Sequence, residues 1–199
     1  LTDLYIIDGE YHLFISIILS SEMGKYALGT CCKQRFGTLG RIDRCLISRS
    51  FGGMFSGSAV IDYGNTAGYN KGDTPAMIVA YTAAGPDKQV QCIAYSLDKG
   101  RTFTKYTNNP VIDSKHIWNS HDTRDPKIFW YTSGNHWVMV LNERDGHSIY
   151  TSPDLKSWKY ESHVTGFWEC PELFELAVDG NPNNKKMGNV WSYRYIYVR

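Results

Sequence analysis

An internal repeat of β character constrains this chain more than any other feature. Tyr95-Ser96, Asp98, Phe103 and Lys105-Tyr106 recur as Tyr150-Thr151, Asp154, Trp158 and Lys159-Tyr160. Tyr106 and Tyr160 lie 54 residues apart. A period near 50 that carries several short strands is the signature of propeller blades, because a single blade cannot bury its own faces. The segment from the Asp to the aromatic reads as a tight turn between the outer strands of a blade. The paired aromatics read as blade core. From Met54 onward the pattern is all-β. Met77-Ile78-Val79-Ala80-Tyr81 and Gln91-Cys92-Ile93-Ala94-Tyr95 are β runs on either side of Gly85-Pro86-Asp87. Upstream, Leu4 to Phe14 is two β runs around Asp8-Gly9, a dipeptide that favours a hairpin.

Composition narrows the function classes. The 199 residues suffice for one domain with a real core. Lys plus Arg number 21 and Asp plus Glu 20, so the basic excess that a nucleic-acid surface needs is missing. No run approaches the roughly 18 apolar residues of a membrane span. Leu13 to Leu19 is apolar but short, so no membrane partner is expected. The 14 Tyr, 6 Trp and 18 Gly fit short strands with tight turns, and aromatic faces also pack on apolar sugar faces. Five Cys is an odd number and shows no metal spacing. Cys92 and Cys170 read as free thiols of a reducing, cytoplasmic compartment.

Three stretches carry chemistry. In Trp168-Glu169-Cys170-Pro171-Glu172-Leu173-Phe174 an ionisable Glu sits between Trp168 and Cys170, with Phe167 one step back. Desolvation there would raise the pKa of Glu169, and an acid still protonated near neutral pH is what a glycosidase uses on a leaving oxygen. The plainer reading is a strand edge whose Glu points to water. In His121-Asp122-Thr123-Arg124-Asp125-Pro126-Lys127, Arg124 and Asp125 are adjacent, and Pro126 biases Asp125 toward an extended conformation. Its plainer reading is an ion pair at a strand start. In Phe55-Ser56-Gly57-Ser58-Ala59-Val60, small hydroxyl residues open another strand. Glu172 and Glu175 alternate away from Glu169 and read as solvated or structural. His12, His121, His136, His147 and His163 form no metal spacing and read as surface or hydrogen-bonding residues.

Together the three stretches resemble the invertase–levanase family of glycoside hydrolases, family 32, which has an FSGSA, an RDP and an EC motif in this order. The resemblance runs from Met54 to Lys186. It implies a five-bladed β-propeller with its active site at the end of the central channel, here incomplete at three to four blades. It implies hydrolysis of β-fructofuranosides such as sucrose, sucrose-6-phosphate or fructan by a retaining mechanism. Residue by residue, Glu169 matches the acid/base and Asp125 the transition-state stabiliser. Arg124 matches a substrate-binding Arg that would also hold Asp125 ionised. Phe55 and Ser56 match residues lining the fructose pocket. No metal or cofactor is implied, and the expected partner is a fructoside. Two other readings stand beside this one: a sugar-binding or inert remnant without turnover, and a related propeller glycosidase acting on pentose polymers.

The N-terminal quarter departs from the family. Gly24 to Arg49 has no sustained period of 2 or 3.6. Back-translated and shifted by one nucleotide, it can be read as an aromatic, His-rich string containing Trp-Gly-His, like the family's segment at this place. Residues 15–50 are therefore expected to be out of frame and poorly packed, and residues 187–199 to be an aberrant tail. Leu1-Thr2-Asp3-Leu4 can be shifted to the tail of the family's nucleophile motif. Asp3 then occupies a glycine position, and the attacking Asp is expected upstream of Leu1, leaving no nucleophile in this chain.

Overall fold

The computed structural model describes residues 53–191 and, as backbone strands, residues 4–7, 10–18, 26–33, 42–47 and 195–198; side chains are described at 53–181, 185 and 186. The strands form four antiparallel sheets in chain order. The first holds β1 (Leu4–Ile7), β2 (Glu10–Ile18), β3 (Tyr26–Lys33) and β4 (Ile42–Ile47). The second holds β5 (Gly53–Asp62), β6 (Ala76–Ala84), β7 (Gln89–Ser96) and β8 (Thr104–Lys105). The third holds β9 (Thr123–Tyr131), β10 (His136–Glu143), β11 (Gly146–Ser152) and β12 (Lys159–Thr165). The fourth holds β13 (Glu172–Val178), β14 (Asn181–Trp191) and β15 (Tyr195–Val198). Consecutive strands pair throughout, so each sheet is a blade, and the sheets form an incomplete propeller that does not close. A short helix, α1 (Ser114–Trp118), links the second blade to the third; the Asp113 carboxylate caps it by accepting from the His116 amide at 3.2 Å.

The expected hairpin around Asp8-Gly9 appears as the antiparallel pairing of β1 with β2, with Ile7 opposite Glu10. Residues 15–50 carry the end of β2 and all of β3 and β4, although the sequence shows no sustained alternation there. How their side chains pack lies outside the described residues.

Blades stack because their central strands are apolar on both faces. On β6, Met77, Val79, Tyr81 and Ala83 join a core with Met54, Val90 and Cys92. The alternate residues Ala76, Ile78 and Ala80 face the third blade, where Ile128, Trp137, Met139, Leu141 and Tyr150 meet them. The next residues of β10, Val138 and Val140, turn the other way and pack on Leu173 of the fourth blade. The period of two thus builds successive inter-blade cores from single strands.

The repeat holds as turns between outer strands, with one correction to its register. Ser96 Oγ donates to Asp98 Oδ1 at 2.7 Å, and Ser152 Oγ donates to Asp154 Oδ1 at 3.1 Å. Asp98 accepts further bonds from the Thr102 amide and hydroxyl, and Asp154 from the Lys156 and Ser157 amides. These turns set Ser96 against Ser152, so Tyr95 corresponds to Thr151 and not to Tyr150. The β11–β12 pairing also carries a bulge, in which Glu161 is the extra residue on β12.

Candidate active site

The first strand of each blade is its edge strand, and β5 lies beside β9. Both carry a bulge where the motifs sit. On β5 the register shifts between Met54 and Gly57, so Phe55 and Ser56 together oppose Thr82. On β9 the register shifts so that Asp125 and Pro126 together oppose Leu141. A bulge bends its strand and re-aims a side chain, which is how edge strands present functional groups. Proline suits this position because the extra residue leaves the ladder, so the missing N–H is not needed. Asp125 has φ +61°, in the left-handed region, not the extended conformation expected before proline. The bulge geometry overrides the local preference, at a residue type that tolerates this region better than most.

Hydrogen bonds tie the two bulges together. The Asp125 amide donates to Thr82 Oγ1 at 3.1 Å, and Thr82 Oγ1 donates to Gln91 Oε1 at 2.8 Å. Gln91 Nε2 in turn donates to the Thr123 carbonyl at 3.0 Å. Ser58 Oγ donates to the Pro126 carbonyl at 2.7 Å and accepts from the Ile128 amide at 2.9 Å. Ser58, buried in the strand that follows the Phe55–Ser56 bulge, thus clamps the chain on the far side of Asp125. Sequence reading had singled out Ser56 and passed over Ser58. Its signal was available only as a second hydroxyl two residues on, on the same strand face.

Glu169 arrives from the fourth blade. It lies in the loop of residues 166–171 between β12 and β13, not on a strand. Its carboxylate accepts from Arg124 Nη1 at 2.6 Å. Arg124 also pairs with Asp122, and its Nε donates to Gln89 Oε1 at 3.3 Å. One residue on, the Cys170 amide donates to Asp125 Oδ2 at 3.0 Å, with the Cys170 thiol 3.5 Å from the same oxygen. Asp125, Cys170, Ser56, Pro126 and Pro171 line a small cleft, closed at one side by the Lys127–Glu172 ion pair at 3.1 Å. Phe55 is half-buried on the same bulge but is not among the residues lining this cleft.

The electrostatics differ from the sequence expectation in two respects. Trp168 and Cys170 do not enclose Glu169: its side chain is 45% exposed, and Trp168 is itself 62% exposed. In a loop, sequence neighbours point outward and build no apolar wall. Arg124 does not chiefly serve Asp125 either, because its guanidinium is spent on Glu169 and Asp122. Asp125 is the buried member, at 9% exposure, and burial raises its pKa above the usual carboxylate value. The Cys170 amide and thiol oppose that rise, Glu169 adds to it, and Arg124 opposes it least. The Cys170 thiol is pushed up to about 11 by burial and by the charge of Asp125.

With this geometry in place, the chain can be set beside known proteins. The profile of the glycosyl hydrolases family 32 N-terminal domain matches residues 44–196. The chain belongs to glycosyl hydrolase family 32. Within the family, a levanase of Bacillus subtilis is 45% identical over 186 residues, covering 89% of this chain and 27% of the levanase. An invertase of Debaryomyces hansenii is 46% identical over 144 residues, covering 67% of this chain and 26% of the invertase. Among solved family 32 structures, a fructofuranosidase of Schwanniomyces occidentalis in complex with fructosylnystose superposes with a TM-score of 0.82 at 30% identity. That match covers 94% of this chain and 39% of the other. The chain thus spans about a quarter of the length of the curated family 32 relatives it matches.

Proposed function

We propose that this chain is the site-bearing part of a β-fructofuranosidase that hydrolyses terminal β-fructosides of the sucrose or fructan type by a retaining double displacement. The observation that carries this reading is the junction of the third and fourth blades. There the Asp125 carboxylate holds the amide of Cys170, while Arg124 of the same bulge holds the carboxylate of Glu169. Arg124 and Asp125, adjacent on β9, are thereby tied to Glu169 and Cys170, adjacent in the loop after β12. Retaining glycosidases need an acid/base carboxylate and an attacking carboxylate about 5–5.5 Å from it. The placement of Glu169 supports the first role, and Asp125 is a further carboxylate suited to stabilising the transition state.

The roles follow from the environments. Glu169 is half exposed, so it is open to a sugar's departing oxygen, to which it would give a proton before taking one from water. Asp125 is buried and fixed, which suits a group that grips sugar hydroxyls as positive charge grows on the ring. Arg124 holds the charge of Glu169 between turnovers and contributes to sugar binding, and Ser56 lines the pocket beside it. A second reading follows for the 199 residues by themselves: they bind the fructosyl group without turning it over. A sucrose hydrolysis assay run beside a fructose-binding titration separates the two. Pentose release from arabinan or xylan, with none from fructosides, would replace both.

A further inference from the structure

We propose that His147 is a positioning residue for Glu169, fixing the peptide through which the acid/base loop approaches the cleft. His147 lies on β11, opposite Asn142 of β10 and Val164 of β12, and is fully buried. Its ring stacks on Phe167, with centroids 5.1 Å apart and planes inclined by 27°. Its Nε2 is hydrogen-bonded to the carbonyl of Trp168. A carbonyl only accepts, so Nε2 carries the proton in this contact.

The consequence is geometric. The Trp168 carbonyl belongs to the peptide that enters Glu169, and the Cys170 amide belongs to the peptide that leaves it. His147 pins the first, and Asp125 pins the second at 3.0 Å. Both peptides flanking the Glu169 Cα are therefore held by buried side chains of the third blade, and Cys170, next in the chain, has φ +56°. The loop itself has little apolar anchorage, since Trp168 is largely exposed. Without His147 the Asp125 contact and the Gly166 amide, which donates to the Asp145 carbonyl at 3.0 Å at the loop's start, still hold the backbone, but the peptide entering Glu169 loses its side-chain anchor and Glu169 gains freedom. A misplacement on the order of 1 Å in a catalytic group costs about a hundredfold in rate. His147 touches no reacting group; it acts through the backbone of Glu169.

The inference rests on Glu169 as the acid/base, but its test needs no turnover. Cys170 reports on the loop, and Cys92, buried in the second blade, reports on global opening. The full chain, His147→Leu and His147→Gln are treated with iodoacetamide at pH 8, and labelling of each cysteine is followed by peptide mass spectrometry. His147→Leu keeps apolar volume and removes the donor; it is expected to label Cys170, already exposed, about tenfold faster, as the thiol moves away from the Asp125 carboxylate and its pKa falls toward the ordinary value. Cys92 should be unchanged. His147→Gln keeps an N–H donor and should stay within about twofold of the parent. Unchanged Cys170 labelling in His147→Leu, parallel acceleration at Cys92, or failure of Gln to restore protection would each overturn the proposal. Absence of fructoside binding would instead sink the functional reading and leave the labelling result standing.

Discussion

At the scale of single residues, Asp125 carries a cost that the fold imposes for the sake of the site. Burial raises its pKa above the ordinary carboxylate value of 3.8. A raised native pKa means the folded state holds its proton more tightly than the unfolded chain does. Any stability gained from it is therefore present below the ordinary value and lost as pH rises through the native one. At neutral pH the ionised group destabilises the fold. Asp125→Asn should accordingly raise the melting temperature at pH 7 while abolishing fructoside hydrolysis in any active form, and the stabilisation should fade near pH 3.5. Melting curves at the two pH values test this; a lower melting temperature for Asp125→Asn at pH 7 would show that the Cys170 amide more than offsets the burial. The sequence made Asp125, Arg124 and Glu169 visible as motif residues, because their identities and order are local. It could not reveal that Arg124 turns to Glu169, or that His147 supports the Trp168 carbonyl. Those contacts join residues 45 and 21 positions apart and depend on how blades meet.

At the scale of elements, the site depends on two bulged strands lying side by side, and glycine and serine make that possible. A Cβ at Gly57 would run into the carbonyl oxygen of Ala80 on β6, a backbone atom that cannot rotate away. Gly57→Ala should therefore cost about 1–3 kcal/mol or more through strand displacement. Ser58→Ala would leave the Pro126 carbonyl and the Ile128 amide buried without partners, and should cost about 1–3 kcal/mol in urea unfolding. Its effect on fructose affinity should exceed that of Ser56→Ala if the clamp behind Asp125 matters more than the pocket rim. The blades themselves were legible because a buried sheet writes its period of two into the sequence, as β6 and β10 do. Bulges were not, since one extra residue leaves the composition unchanged and shifts only the register.

At the scale of the whole molecule, the described sheets form an open set of blades. An unclosed propeller presents strand edges that its neighbours would cover, so this chain on its own is expected to associate as its concentration rises, seen by light scattering. Ser56 of the second blade and Asp125 of the third line one small cleft with Cys170 and Pro171, and Arg124 links Glu169 to the same bulged strand. Removing one member of a catalytic unit costs orders of magnitude because the members act together. Under the proposed roles the chain should bind fructose, and Arg124→Ala should weaken that binding in a calorimetric titration. Any release of fructose from sucrose should be abolished by Glu169→Gln. Release that survives Glu169→Gln would remove Glu169 from the acid/base role, and no binding of fructose would sink the reading as a whole.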